Sequence, residues 1–88
     1  MMTGEDLAKA RKALGLTQAQ FGERLGMGRR SIADIETGTS PVRLIHILAL
    51  ERLALTLAIE RAEPMLAPAG IRREALDLAA LIRGDASA

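Results

Sequence analysis

Hydrophobic and polar positions alternate along this chain with helical spacing from the first residues onward. Leu7, Ala10, Arg11 and Leu14 share one face of a turn repeating every 3.6 residues, and Gly15 stops that repeat. Thr3, followed three residues later by Asp6, marks the start of this first helix, which runs from Gly4 to about Leu14. Thr17 and Gln20 form a T-x-x-Q capping box that opens a second helix, with Phe21 and Leu25 as its core anchors and Gly26 as its end. About two residues later a third helix begins at Arg29; it buries Ile32 and Ile35 on one stripe, reaches Thr37 and stops at Gly38.

The pattern then changes. Ser40-Pro41 is the expected opening of a fourth helix, with Pro41 in its first turn, running to about Ala62 and allowing a break. Its apolar residues, Leu44 through Ile59, cover more than one face. A helix apolar on nearly every side must be covered on nearly every side, by a helix of the same chain or of a second copy. Glu63-Pro64 ends the segment, Pro68, Ala69 and Gly70 form a connector, and Ile71, Ala75, Leu78 and Ile82 mark a last amphipathic helix. Residues 84–88 are expected to fray. No period-2 alternation bounded by turn residues appears, so the chain reads as all-α, a compact bundle of five to six helices. The expected organisation is one main helical unit over residues 1–62. Residues 63–88 follow as a connector and C-terminal helix, packed on that unit or at a dimer interface.

Composition sharpens this picture at a few points. With 88 residues the natural reading is one small domain, and a 49% hydrophobic fraction leaves more apolar surface than one small core needs. Phe21 is the only aromatic residue, so the core is built from Leu, Ile, Ala and Met. The absence of cysteine excludes disulfides and thiol chemistry and suits a cytoplasmic location. The start, MMTGEDLAKARK, lacks the apolar run of a signal peptide, and Leu44–Ile59 is interrupted by His46, Glu51, Arg52 and Thr56, too polar for a membrane span.

Net charge is +1, which alone says nothing about nucleic acid. Residues 1–43 carry seven basic and five acidic groups, a mild positive bias. Catalysis is not expected. His46, the only histidine, sits among Leu44, Ile45, Ile47 and Leu48, and the acids show no metal-ligand spacing, so no catalytic residue, metal or cofactor is assigned.

The candidate chemistry lies between Leu16 and Arg43. Two short helices joined by a tight turn must cross, and Gly22 sits where their backbones approach. Arg29 and Arg30 stand at the start of the third helix, where cations oppose the helix dipole and an anionic partner would relieve them. An Arg fork on guanine is the commonest specific base contact. Asp34, at i+4 from Arg30, either accepts from a cytosine amino group or orients Arg30 through an intrahelical pair. Gln18, at the N-terminus of the preceding helix, suits a phosphate oxygen, and Ser31 a phosphate or a thymine. Thr37, Thr39, Ser40 and Arg43 read as a second phosphate clamp or as an ordinary polar loop. Arg11 and Glu36 fall at the ends of elements that should meet. As a partly buried pair they would tie the first helix to the third.

The run Gly15-Leu16-Thr17-Gln18, with Phe21, Leu25-Gly26, Ile32, Glu36 and Gly38 in register, resembles the Cro/C1-type (XRE-like) helix-turn-helix family of DNA-binding regulators. The likeness spans Glu5–Gly38 strongly and extends loosely to about Leu57. It implies a lambda-repressor-like helical bundle whose Arg29-containing helix enters the major groove. It further implies operator contacts from Gln18, Arg29, Arg30 and Asp34, backbone contacts from the loop of Thr37 to Arg43, and an Arg11–Glu36 bridge. The partner so implied is a double-stranded DNA operator; the excess Leu and Ile beyond Val42 point separately to a second copy of the chain. A protein partner, as in an antitoxin, is the alternative use of the C-terminal half. Three residues depart from the family pattern and predict a somewhat looser unit. Gly22 replaces the usual Ala, Gly28 replaces a Ser or Thr cap, and Phe21 replaces Leu.

Overall fold

The structure, a computed structural model, describes residues 1–84. Five α-helices and one 3-10 turn account for the described residues, with no strand among them: α1 Gly4–Ala13, α2 Gln18–Leu25, α3 Arg29–Glu36, α4 Leu44–Glu60, the turn Pro64–Leu66, and α5 Ala69–Arg83. The fraying expected for residues 84–88 lies, beyond Gly84, outside the described residues.

Local chemistry sets the first helices. Thr3 accepts from the Asp6 N–H while Asp6 accepts from the Thr3 N–H. That second bond, from the Thr3 backbone, holds the Asp6 carboxyl below its ordinary pKa. Thr17 and Gln20 form the same reciprocal pair at α2. Gly26 closes α2 in the left-handed conformation at φ 73°, a geometry that glycine adopts without a Cβ penalty.

One continuous core lies between α1, α2, α3 and the inner face of α4. Leu7, Phe21, Ile32 and Leu57 are its most completely buried side chains. Leu14, Ile35, Leu50, Leu53 and Ala54 complete it, with Leu16, Leu25, Met27, Val42 and Leu66 packed against its edge.

Two close approaches fix the α2–α3 and α1–α3 geometry. A Cβ on Gly22 would lie 2.5 Å from the Met27 carbonyl oxygen, and the Met27 N–H donates to the Gly22 carbonyl at 2.7 Å. The turn therefore lies directly on α2. At this position the departure from Ala tightens the unit, contrary to the looser packing expected. Gly4 is a second such site, which the pattern along the chain did not reveal: its Cβ would meet the Ile35 carbonyl at 2.0 Å, so the first turn of α1 rests against the end of α3.

The fourth helix begins later than expected. It starts at Leu44, with Arg43 as its cap, and continues unbroken to Glu60. Pro41 lies in the loop before it. The Ser40 N–H donates back to the Asp34 carbonyl at 3.0 Å, so residues 37–43 are spent returning the chain from α3. The His46 side chain then caps α4 by accepting the Arg43 N–H at its Nδ1, 2.9 Å away. Ala69 and Gly70, expected in a connector, form the first turn of α5, and Pro68 precedes it as cap.

Candidate nucleic-acid interface

The surface that carries the predicted contacts is built on α3. Ile32 and Ile35 point into the core, so a 3.6-residue repeat turns Arg30, Ala33 and Asp34 to the opposite side, with Arg29 and Ser31 flanking them. Arg29, Arg30 and Ser31 are exposed. Gly28, the α3 cap, supplies no side-chain acceptor, so the first N–H groups of the helix face outward unbonded by a cap.

The expected intrahelical pair between Arg30 and Asp34 is not formed. Among the described residues, ion pairs join Lys9 to Glu5, Arg11 to Glu36 and Arg24 to Glu60, and none involves Arg29, Arg30 or Asp34. An exposed i,i+4 pair is worth only a few tenths of a kcal/mol. That is too little to immobilise two solvated side chains here. Both guanidinium forks thus stand free in the unliganded chain.

Asp34 instead acts through its backbone. Its carbonyl accepts from the Thr37 hydroxyl at 3.3 Å and from the Ser40 N–H at 3.0 Å. This brings Ser31, Asp34, Ser40 and Arg43 around one surface hollow, together with Met27 and His46. Four of the predicted contact residues therefore share a rim. Thr37 and Thr39 lie beside it with their hydroxyl oxygens 3.2 Å apart, bonded to each other.

Behind α3 lies the predicted bridge. Arg11 grips Glu36 with both arms, Nε donating to Oε2 at 2.7 Å and Nη2 to Oε1 at 2.9 Å, while Nη1 donates to the Leu16 carbonyl at 2.8 Å. The two side chains are 10% and 6% exposed. Burial pushes the Glu36 carboxyl up, but hydrogen bonds from Arg11 and Gln18 and the charges of Arg11 and Lys12 outweigh it and leave the group below its ordinary pKa. The same hydrogen bond to Glu36 raises the Arg11 guanidinium further, against the effect of burial.

Gln18 belongs to this cluster. Its Nε2 donates to Glu36 Oε1 at 3.1 Å. The bridge therefore reaches from α1 through the end of α3 to the first residue of α2. The place of Gln18 one residue after the Thr17 cap points to an outward phosphate role and carries no local signal of this inward bond. Arg24 and Arg61 were also missed. Arg24 pairs with Glu60 at 3.3 Å, and Arg61 Nη1 donates to the Leu14 carbonyl at 2.7 Å, so both clamp α4 to the first half of the chain.

Residues 7–54 match the family model described as helix-turn-helix. The chain belongs to the Cro/C1-type helix-turn-helix family. The match takes in α2, the turn at Gly26–Gly28, α3 and the first part of α4, more than half of the sequence. No curated protein and no solved structure matches the chain. The helix-turn-helix is thus an all-helical DNA-binding unit, with α3 in the place of its second helix. No helix among the described residues is long and apolar enough to cross a membrane.

Proposed function

We propose that this protein is a sequence-specific binder of double-stranded DNA, acting as a small homodimeric transcriptional regulator that lays α3 in the major groove. The observation that carries the reading is the pair Arg29 and Arg30, unpaired and exposed at the start of a helix whose other side is locked into the core by Ile32 and Ile35. Rigid presentation of Arg forks from a helix N-terminus fits the guanine O6 and N7 acceptors.

Ser31, Asp34, Ser40 and Arg43 take the flanking roles. Arg43 and Ser40 meet phosphates, Ser31 a phosphate or a thymine, and the free Asp34 carboxylate a cytosine amino group. Thr37 and Thr39 add hydroxyls at the same rim. Gln18 meets the neighbouring phosphate with the polar groups its bond to Glu36 leaves over, so Arg11 and Glu36 orient a DNA contact without touching DNA. The expected division places this activity in residues 1–62 and leaves residues 63–88 for association.

Selection of bound sites from a random duplex pool tests the reading. A consensus with two-fold symmetry and half-sites about one helical turn apart is expected. Affinity should fall steeply with salt, in proportion to the phosphates neutralised. Failure to enrich any sequence, or binding indifferent to Arg29→Ala and Arg30→Ala together, would overturn it.

A further inference from the structure

We propose that His46 is a further contact to the DNA backbone, donating the Nε2–H of a neutral imidazole to a phosphate beside Ser40 and Arg43. The proposal rests on the DNA-binding reading above and adds a residue whose chemistry differs from that of the arginines on the same face.

His46 is the only histidine of the chain. It is the third residue of α4, where a capping box ordinarily carries Glu or Gln. Its Nδ1 accepts the Arg43 N–H at 2.9 Å. A backbone N–H can only donate, so Nδ1 carries no proton and the proton of the neutral ring is fixed on Nε2. Nε2 finds no acceptor among the described residues, and it reaches solvent. The ring itself is half-buried and held by its cap bond. A donor of fixed identity is thus offered outward from a positioned ring.

The surroundings select what this donor meets. His46 lines the hollow that also takes in Ser31, Asp34, Ser40 and Arg43. The two sides of that hollow differ. Ser31 and Asp34 belong to α3, the helix laid toward the bases, and the Asp34 carboxylate repels an anion. Ser40 and Arg43 belong to the returning loop and His46 to the start of α4, and no acid lines the hollow on this side. A phosphate oxygen arriving there meets the Arg43 guanidinium, the Ser40 hydroxyl and the His46 Nε2–H together.

The neutral donor leaves a signature that an arginine does not. An Arg that neutralises a phosphate releases a counterion and adds to the salt slope of binding, whereas a neutral N–H adds affinity without changing that slope. His46 also holds the Arg43 backbone, so cap and contact are two uses of one side chain, and substitutions separate them.

Equilibrium binding of a duplex carrying the selected site tests the contact. It is measured across salt concentrations in weakly alkaline buffer, so that no charge on the imidazole enters. His46→Ala removes both cap and donor and should weaken binding about tenfold, the scale of a hydrogen bond to a charged group, with the salt slope unchanged. His46→Gln restores both, since its carbonyl can cap Arg43 while its amide donates, and it should recover most of the lost affinity. His46→Glu caps equally well but has no donor. Its urea midpoint should match that of the Gln variant while its affinity falls below that of the Ala variant. Nitrogen NMR of the single imidazole should place the proton on Nε2 in the DNA-free chain and show that resonance shift when the duplex is added. Native affinity in the Ala variant would overturn the proposal, as would an Ala variant that Gln does not rescue, a salt slope lowered as by loss of a cation, or a proton on Nδ1. A native chain that binds no duplex would overturn the DNA-binding reading and this contact together. Binding lost on Arg29→Ala and Arg30→Ala but kept on His46→Ala would overturn the contact alone.

Discussion

Helix α3 is eight residues long and has two of them, Ile32 and Ile35, buried; α5 is nearly twice as long and has none. Both are amphipathic, and both were legible as helices from spacing alone. They differ in what holds them. The apolar stripe of α3 is closed by α1 and α2, with Gly4 and Gly22 admitting the neighbouring backbones, so its polar face is presented rigidly. The apolar stripe of α5 rests loosely on α4 and faces outward. Periodicity shows which face of a helix seeks cover. It does not show whether the same chain supplies the cover.

The rigidity of α3 can be broken most severely from behind. Arg11→Ala leaves Glu36 as a buried carboxylate held only by Gln18, and removing one partner of a buried ion pair costs about 3–5 kcal/mol. Urea denaturation should show a loss of that size. A loss below about 1 kcal/mol would mean that the bridge does not hold α1 to α3. The bridge also gives stability a pH dependence. The folded pKa of Glu36 lies below its unfolded value, so its contribution is complete above the ordinary glutamate range, about 4.3, and is lost as pH falls through the lowered folded value. Removing the bridge should flatten that acid limb.

This bridge shows how far residue types alone reach. Arg11 and Glu36 were assigned to each other because both fall beside apolar stripes at the ends of elements that must meet, and the structure joins them with two bonds. The caps at Thr3 and Thr17 were legible for a simpler reason: a reciprocal hydrogen bond three residues apart is a local event. The start of α4 was not. Ser40-Pro41 has the composition of a helix start, but the Ser40 N–H is drawn back to Asp34, and the helix waits until His46 can cap it through the Arg43 N–H. The return from Ser40 to Asp34 is a loop closure with no sequence signature, and the His46 cap, though only three residues from Arg43, uses a side chain outside the usual Glu or Gln of a capping box. The inward bond of Gln18 was not legible either, since its partner lies 18 residues away.

The next largest effect concerns the turn itself. Gly22→Ala places a methyl 2.5 Å from the Met27 carbonyl, a backbone atom that cannot swing aside. Overpacking of this kind costs about 1–3 kcal/mol. Because the strain falls on the α2–α3 angle, DNA affinity should drop along with thermal stability. A variant as stable as the parent would show that the turn yields, and that α3 is less firmly placed than its buried face implies.

Arg30→Ala turns the comparison around by changing the exposed face of α3 and nothing behind it. Stability should stay within about 0.5 kcal/mol of the parent, since the side chain has no partner among the described residues. Binding to the selected site should weaken by about 1–3 kcal/mol, with discrimination relaxed at a single base pair. Arg43→Ala should instead weaken binding nearly evenly across sequences and lower the salt slope by about one. If both variants lost affinity evenly, Arg30 would be a phosphate contact and base reading would be left to Arg29 and Asp34.

The smallest effect separates fold from reading at one position. Gly28 caps α3 at φ −71° and ψ 152°, a backbone any residue adopts, and a Cβ there meets nothing within 4 Å. Gly28→Ser supplies the missing acceptor for the first turn and should stabilise the protein by a few tenths of a kcal/mol. Gly28→Asp should match or slightly exceed that gain, because a carboxylate also complements the helix dipole. The two variants should part on DNA. Serine keeps the surface neutral, whereas aspartate sets a negative charge beside Arg29 and Arg30 where phosphates and base acceptors are to arrive, so stability and affinity move in opposite directions. Equal DNA affinity for the two variants, measured at low salt where a surface charge is least screened, would show that the start of α3 stays clear of the duplex.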